Sequence, residues 1–217
     1  ITKICPDFVP CRIAFSVKAP IDVPVHESCQ AAVQDVARLL ADLGHGVEEA
    51  APEFDARGLV EAFRVIVGAN LSHVIAMRLR ALKRNSANGL IERASLHWAE
   101  LGRRASATDY VRSIQAIHIV GRRFGAFFQK YDALLTPTVA APPMPLRAIN
   151  QMSEEVAEFW GKLFRFIPFT PQFNASGGPA MSLPLHWTVD GLPVGVQVGT
   201  DFGNEALLFR LAAQLEA

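Results

Sequence analysis

Short apolar runs alternate along the chain with stretches whose apolar residues recur at helical spacing. Arg12–Val17 (RIAFSV) is a short apolar run closed by Lys18-Ala19-Pro20, and it predicts a buried strand. From Glu27 onward the pattern turns helical, with Val33, Val36, Leu40 and Leu43 at three- and four-residue steps. Gly44 then supplies a left-handed stop, and Gly46–Ala50 predicts an edge-like strand. A strand, a helix and a strand in that order imply parallel pairing through a right-handed crossover.

Asp55 caps a long helical stretch reaching about Arg84, with a break expected near Gly68, because ~30 residues is long for a globular helix. Asn85–Gly89 is turn chemistry and Glu92–Leu101 a shorter helix. Thr108 is placed as the cap of another helix, with Val111, Ile114, Ile117, Gly121, Phe124, Phe128 and Tyr131 on one face. Asp132–Thr138 follows as a strand stopped by proline, and the four prolines of Pro137–Pro145 hold the next segment in an ordered loop. Glu154–Arg165 reads as a helix. Met181–Thr188 and Val194–Val198 read as two strands joined at the Asp190-Gly191 turn, and Asn204–Glu216 as a last helix. The fold class is α/β.

With 217 residues, half of them hydrophobic and 19% charged, the chain can bury a sizeable core. Twenty-one basic residues balance 21 acidic ones, so a polyanion is not expected as the main partner, and no nucleic-acid partner is assigned. The charge is uneven: residues 78–123 carry ten Arg/Lys against three Asp/Glu. No aromatic residues interleave them in a binding motif. They read as solvated helix faces, with contact to an anion or partner as the alternative. No uninterrupted apolar run approaches the ~20 residues of a membrane span, so no membrane partner is expected. The chain starts at Ile1 without a signal-peptide pattern, and the missing Met suggests that this is not the natural start. Cys5, Cys11 and Cys29 lack CxxC spacing and are expected to be reduced and structural, as in a cytoplasmic protein.

The chemistry is sparse at first sight. P-loop, GxGxxG and HExxH patterns are absent, and the six histidines are never at metal spacing, so neither a metal nor a cofactor is expected. Ser182, His186 and Asp190 have the residue types of a hydrolase triad, but about 13 Å separates positions four apart on a strand. The informative stretch is Phe169–Pro184 (FTPQFNASGGPAMSLP). Gly177 and Gly178 permit backbone that other residues resist, and Pro179 and Pro184 bracket a short rigid strand. Such a loop brings main chain close either to another strand or to a ligand.

Asn174-Ala-Ser-Gly177-Gly-Pro179-Ala180-Met-Ser-Leu-Pro184, followed by Gly191-Leu-Pro-Val-Gly-Val-Gln197, resembles the C-terminal signature of the amidase signature family. Tyr131–Thr138 (YDALLTPT) resembles the strand leading to that family's substrate pocket. Arg12–Val17 with Leu43–Glu48 resembles its RIA and LGHxVEEA unit, and Glu205–Glu216 its closing helix. Leu185-His186-Trp187 after Pro184 is similar to bacterial amidases of the 6-aminohexanoate cyclic-dimer hydrolase kind, whereas amidotransferase A subunits more often show Cys-Gly there.

The resemblance implies the C-terminal portion of the amidase signature fold, a mixed β-sheet flanked by helices, with residues 1–217 as a single unit. The family hydrolyses carboxylic amides with a Ser–cis-Ser–Lys triad and no metal or cofactor. Its nucleophile sits in a Gly/Ser-rich segment of the GGSSGGS type, which this chain lacks. No catalytic residue is therefore assigned, the N-terminal catalytic half is taken as a missing partner, and the chain alone is expected to be inactive. By resemblance it supplies sheet and one wall of the pocket for a small-molecule amide, through Thr136, Phe169, Thr170, Phe173 and Asn174; Phe169 and Phe173 could equally be core. A non-catalytic binding module or a piece of an amidotransferase A-type subunit is the alternative. A sheet cut along its length leaves an open strand, placed at Arg12–Val17, Ala133–Thr136 or Val194–Val198, and predicts self-association as a homodimer.

Overall fold

β1 (Arg12–Phe15), α1 (Glu27–Asp42) and β2 (Gly46–Glu49) form the expected unit, with β1 and β2 parallel and Ile13 opposite Val47. These coordinates are a computed structural model that describes residues 9–87 and 89–216, so Cys5 lies outside the described residues. His26 Nδ1 caps α1 by accepting the Ser28 amide at 3.2 Å. The helix buries Cys29, Ala32, Val33, Val36, Ala37 and Leu40. Gly44 ends it at φ 95°, where a side chain is strained and glycine is not.

β3 (Ala133–Pro137) is buried throughout and runs parallel to β1. β5 (Pro193–Thr200) pairs antiparallel with β3, and β4 (Ala180–Trp187) pairs antiparallel with β5, so the mixed sheet has the order β2-β1-β3-β5-β4. α7 (Glu205–Leu215) joins α1 over the sheet, and Ile13, Val33, Leu40, Leu135, Val196 and Leu211 lie in one apolar core. The three strands expected to offer an open edge are therefore each paired on both sides. The edges belong to β2 and β4. Both suit that place: β2 is four residues long with exposed Glu48 and Glu49, and β4 holds Pro184, which lacks an N–H, next to a register shift between Leu183 and His186.

The chain forms two compact units. The first comprises residues 1–54, 120–144 and 165–217, and the second residues 55–119 and 145–164. The sheet, α1 and α7 belong to the first. The second is helical, with α2 (Ala56–Ala81), α3 (Arg93–Arg104), the first turns of α4 (Ala107–Phe128) and most of α5 (Val156–Phe166).

Asp55 caps α2 as expected, its Oδ1 accepting the Gly58 amide at 2.8 Å, but the helix does not break at Gly68. That glycine serves close packing instead. A Cβ on Gly68 would lie 2.5 Å from the Trp98 carbonyl oxygen, and one on Gly102 of α3 would lie 1.9 Å from the Gly68 carbonyl carbon. Beside this contact Trp98 and Trp160 stack with ring centres 3.8 Å apart.

Ser106 caps α4, not Thr108. Its Oγ accepts the Asp109 amide at 3.1 Å, while the Asp109 carboxylate accepts the Ser106 amide and hydroxyl at 3.0 and 2.7 Å. By length and composition α2 also qualifies as a membrane-crossing helix, with a window of mean hydropathy 1.4. Counting uninterrupted apolar residues misses this, because Asn70, Ser72 and His73 break the run without lowering its average far.

Candidate functional site

The carboxyl ends of parallel strands in an open α/β sheet form a crevice where ligands bind. Here that crevice is a cavity of about 440 Å³, all of it within the first unit. Ser16, Lys18 and Pro20 line it from the exit of β1, Pro52 and Phe54 from beyond β2, and Leu134 and Thr136 from β3. A short helix, α6 (Pro171–Ser176), and the residues before it complete the wall with Phe169 and Gln172. The lining is apolar where Pro20, Pro52, Phe54, Leu134 and Phe169 meet. Lys18 and Glu49 place opposite charges at exposed positions of it.

α6 lies in the stretch read from sequence as a loop, although its cues are present. Pro171 occupies the first turn, where a missing N–H costs nothing, and Gly177 ends the helix at φ 77°, its amide donating to the Phe173 carbonyl at 3.0 Å. The next glycine explains the close approach expected of this segment. A Cβ on Gly178 would lie 2.6 Å from the Thr200 carbonyl oxygen, so the main chain closes on β5 there.

The five wall candidates are not gathered in one place. Thr136 and Phe169 both line the cavity and are 3% and 1% exposed. Buried Gln197 of β5 ties them together: its Nε2 donates to Thr136 Oγ1 and to the Phe169 carbonyl, each at 3.1 Å. Phe173 is core. Its ring packs where a Cβ on Gly199 would come within 2.1 Å, and it meets Phe124 edge-on at 5.6 Å. Thr170 is the residue before α6, and Asn174 is exposed on that helix; neither lines the cavity. Gln172, Ser16, Lys18 and Phe54 were missed. The signal available for three of them was their position just past a strand end or at a proline-started turn, not their residue type.

The tempting triad does not form. His186 Nδ1 stands 3.4 Å from Asp35 of α1, and Ser182 Oγ lies 2.6 Å from Thr138 Oγ1. Ser176 Oγ donates to the Phe173 carbonyl and accepts the Gly178 amide, as a turn residue does. Cys11 and Cys29 are free and buried. Burial raises both thiols, that of Cys29 to about 11, and for Cys11 the charge of Asp132 adds to the rise while Arg210 opposes it. Among the described residues no group of three or more His, Cys, Asp and Glu side chains could hold a metal ion.

The profile of the family described as Amidase matches residues 7–209. AmiC of Mycobacterium leprae (strain TN) is 35% identical over 184 residues, covering 83% of this chain and 38% of that protein. The 6-aminohexanoate-cyclic-dimer hydrolase of Pseudomonas sp. (strain NK87) is 28% identical over 94% of this chain and 43% of its own length. The solved structure of a 6-aminohexanoate cyclic dimer hydrolase complexed with substrate superposes with a TM-score of 0.86 at 26% identity, covering 99% of this chain and 46% of that one. The chain thus spans less than half the length of these relatives.

Proposed function

The chain belongs to the amidase family, and from that premise we propose that it works as part of an enzyme hydrolysing a carboxylic amide to acid and amine. The observation that carries this reading is the apolar cavity at the strand ends, with Thr136 and Phe169 in its wall. In this assignment the cavity takes the acyl portion of the substrate. Phe169, Leu134 and Phe54 remove its methylenes from water, at about 0.8 kcal/mol for each CH₂ buried, which is close to a fourfold preference per methylene. Gln197 positions the wall by holding the Phe169 carbonyl and the Thr136 hydroxyl. Phe173 anchors α6 by packing against Gly199 and Phe124, and Thr170 and Asn174 have no part in the wall.

The nucleophile, its base and the donors for the oxyanion belong to a segment outside these 217 residues. The absence of a Gly/Ser-rich stretch supports that placement, as does the 38–46% of the relatives' lengths that the chain spans. With that segment present, attack on the substrate carbonyl expels the amine, and water then releases the acid from the acyl-enzyme. Self-association keeps a place in a changed form. The eight-residue β4 offers the open edge, since acidic, four-residue β2 discourages pairing. A dimer that dissociates on dilution in light scattering would support this, and a monomer throughout would remove it.

The test of the wall uses the enzyme completed by that segment. In it, Phe169→Ala should shift the ratio of kcat/KM between short- and long-acyl amides. Unchanged ratios in a folded variant would overturn the assignment. The chain by itself should hydrolyse none of these amides.

A further inference from the structure

Gln172 is a polar residue of the cavity wall whose bonding is incomplete. It stands second in α6, lines the cavity and is 4% exposed. Its carboxamide makes no hydrogen bond among the described residues, whereas the equally buried Gln197 makes two. Trp160 Nε1 is the one fully enclosed side-chain polar atom without a partner among those residues. The Gln172 amide is therefore not sealed into the core, and the access it keeps is to the cavity. Thr136 is in a similar state. Its Oγ1 accepts from Gln197 Nε2, and its own proton has no acceptor among the described residues.

Buried polar groups are bonded as a rule, and one left open in a cavity wall marks where a ligand supplies the bond. The burial itself does not depend on how much of the protein is present, since further chain can only cover Gln172 more. A partner from that further chain would have to fill the space that takes the acyl portion, so the inference rests on the reading of the cavity given above.

The chemistry of the side chain selects the group it bonds. A carboxamide carries N–H donors and a carbonyl acceptor side by side. Its full complement is a primary carboxamide, which presents a carbonyl and an N–H on one edge; a trans secondary amide presents them on opposite edges. An ion gains little here, because Lys18 and Glu49 are exposed and opposite in charge. A plain alkyl chain would leave the Gln172 amide dry and unbonded.

We propose that Gln172 sets the substrate class: the acyl chain ends in a primary carboxamide, which the Gln172 side chain bonds inside the cavity. Thr136 adds a hydroxyl donor to the same space.

The test uses the enzyme completed by its nucleophile-bearing segment and two N-methyl amides of equal acyl length, one alkyl and one ending in a primary carboxamide. Methylamine release gives kcat/KM for each. The carboxamide-ended substrate should be preferred about 10- to 100-fold, as two hydrogen bonds allow. Gln172→Met should lower its kcat/KM by about that factor and raise that of the alkyl substrate, whose chain no longer strands an amide. Gln172→Glu, which keeps the size but gives up the N–H donors, should lower the carboxamide-ended substrate in the same way. Asn174→Ala, exposed on the same helix, should leave the ratio where it is. A wild-type preference for the alkyl chain, or turnover of neither substrate, would overturn the proposal. So would an equal loss on both substrates in the Gln172 variants, since Gln172 would then meet the rest of the protein. If Phe169→Ala leaves the short-to-long ratio unmoved, the cavity assignment itself falls. If that ratio moves and the Gln172→Met ratio does not, this inference alone fails.

Discussion

Gln197 is the residue whose change should most disturb the cavity wall without touching its lining. It is 4% exposed, and its amide bonds both Thr136 Oγ1 and the Phe169 carbonyl at 3.1 Å. Gln197→Leu keeps the volume and removes the donor. Two neutral hydrogen bonds contribute about 1 kcal/mol each, and leaving the Phe169 carbonyl buried without a donor costs about 1–3 kcal/mol more. The extra apolar surface returns about 1–2 kcal/mol, for a net loss of about 2–3 kcal/mol. Native-state hydrogen exchange reads this where it occurs. Amides of β3 and β5 should lose protection about 30- to 150-fold, and those of α2 and α3 should not change. Gln197→Glu adds a sign test. An ionised carboxylate facing a carbonyl oxygen is disfavoured, so the group binds protons more tightly in the folded state and the variant loses stability as pH rises from 5 to 8. Protection reduced less than about twofold in the Leu variant, or a Glu variant indifferent to pH, would refute the network as the support of the wall.

Three further outcomes follow from other parts of the chain. Gly102→Ala should destabilise the helical unit by about 1–3 kcal/mol in urea unfolding followed by the fluorescence of Trp98 and Trp160, although alanine in a helix gains about 1 kcal/mol over glycine; a neutral or stabilised variant would deny the close approach at Gly68. With its thiol at about 11, Cys29 is thiolate to the order of one part in a thousand at pH 8, so iodoacetamide should leave it unmodified in the folded chain by peptide mass spectrometry. The hydroxyl and amide of Ser106 hold the Asp109 carboxyl below its ordinary range, so its support of α4 is complete above about pH 4 and is lost as pH falls further; NMR of the α4 amides should show that end fraying in acid, and Ser106→Ala, which keeps only the backbone amide bond, should weaken the pH dependence.

The strand–helix–strand start, the Asp190-Gly191 hairpin and the closing helix were legible because each depends on local patterning: an apolar period, a cap, a turn residue. What failed depended on a partner distant in sequence. Gly68 looks like a helix breaker until Gly102 is seen against it. The cap of α4 is the exception, a local miss: Ser106 and Asp109, three residues apart, exchange bonds as a capping box, for which Thr108 has no partner at that spacing. The open strands were misplaced because an apolar run shows that a strand is buried but not which neighbours bury it, and β1, β3 and β5 are apolar through being central. At the site the same division holds. Thr136 and Phe169 came from motif resemblance and line the cavity, and Phe173 came from the same motif but packs on Gly199 and Phe124. Ser16, Lys18 and Gln172 carry no signal of residue type, since topology alone brings them to the strand ends.

Whether the cavity at the strand ends receives the acyl portion of an amide can be measured on these 217 residues alone. Isotope-labelled protein is titrated with a short and a long straight-chain primary amide, and backbone and methyl NMR shifts are followed. Saturable shifts should be confined to Ser16, Ala50, Leu134, Thr136, Phe169 and Gln172. The longer amide should bind more tightly by about fourfold per added methylene that the wall covers. Shifts centred elsewhere on the molecule, or affinities indifferent to chain length, would contradict it.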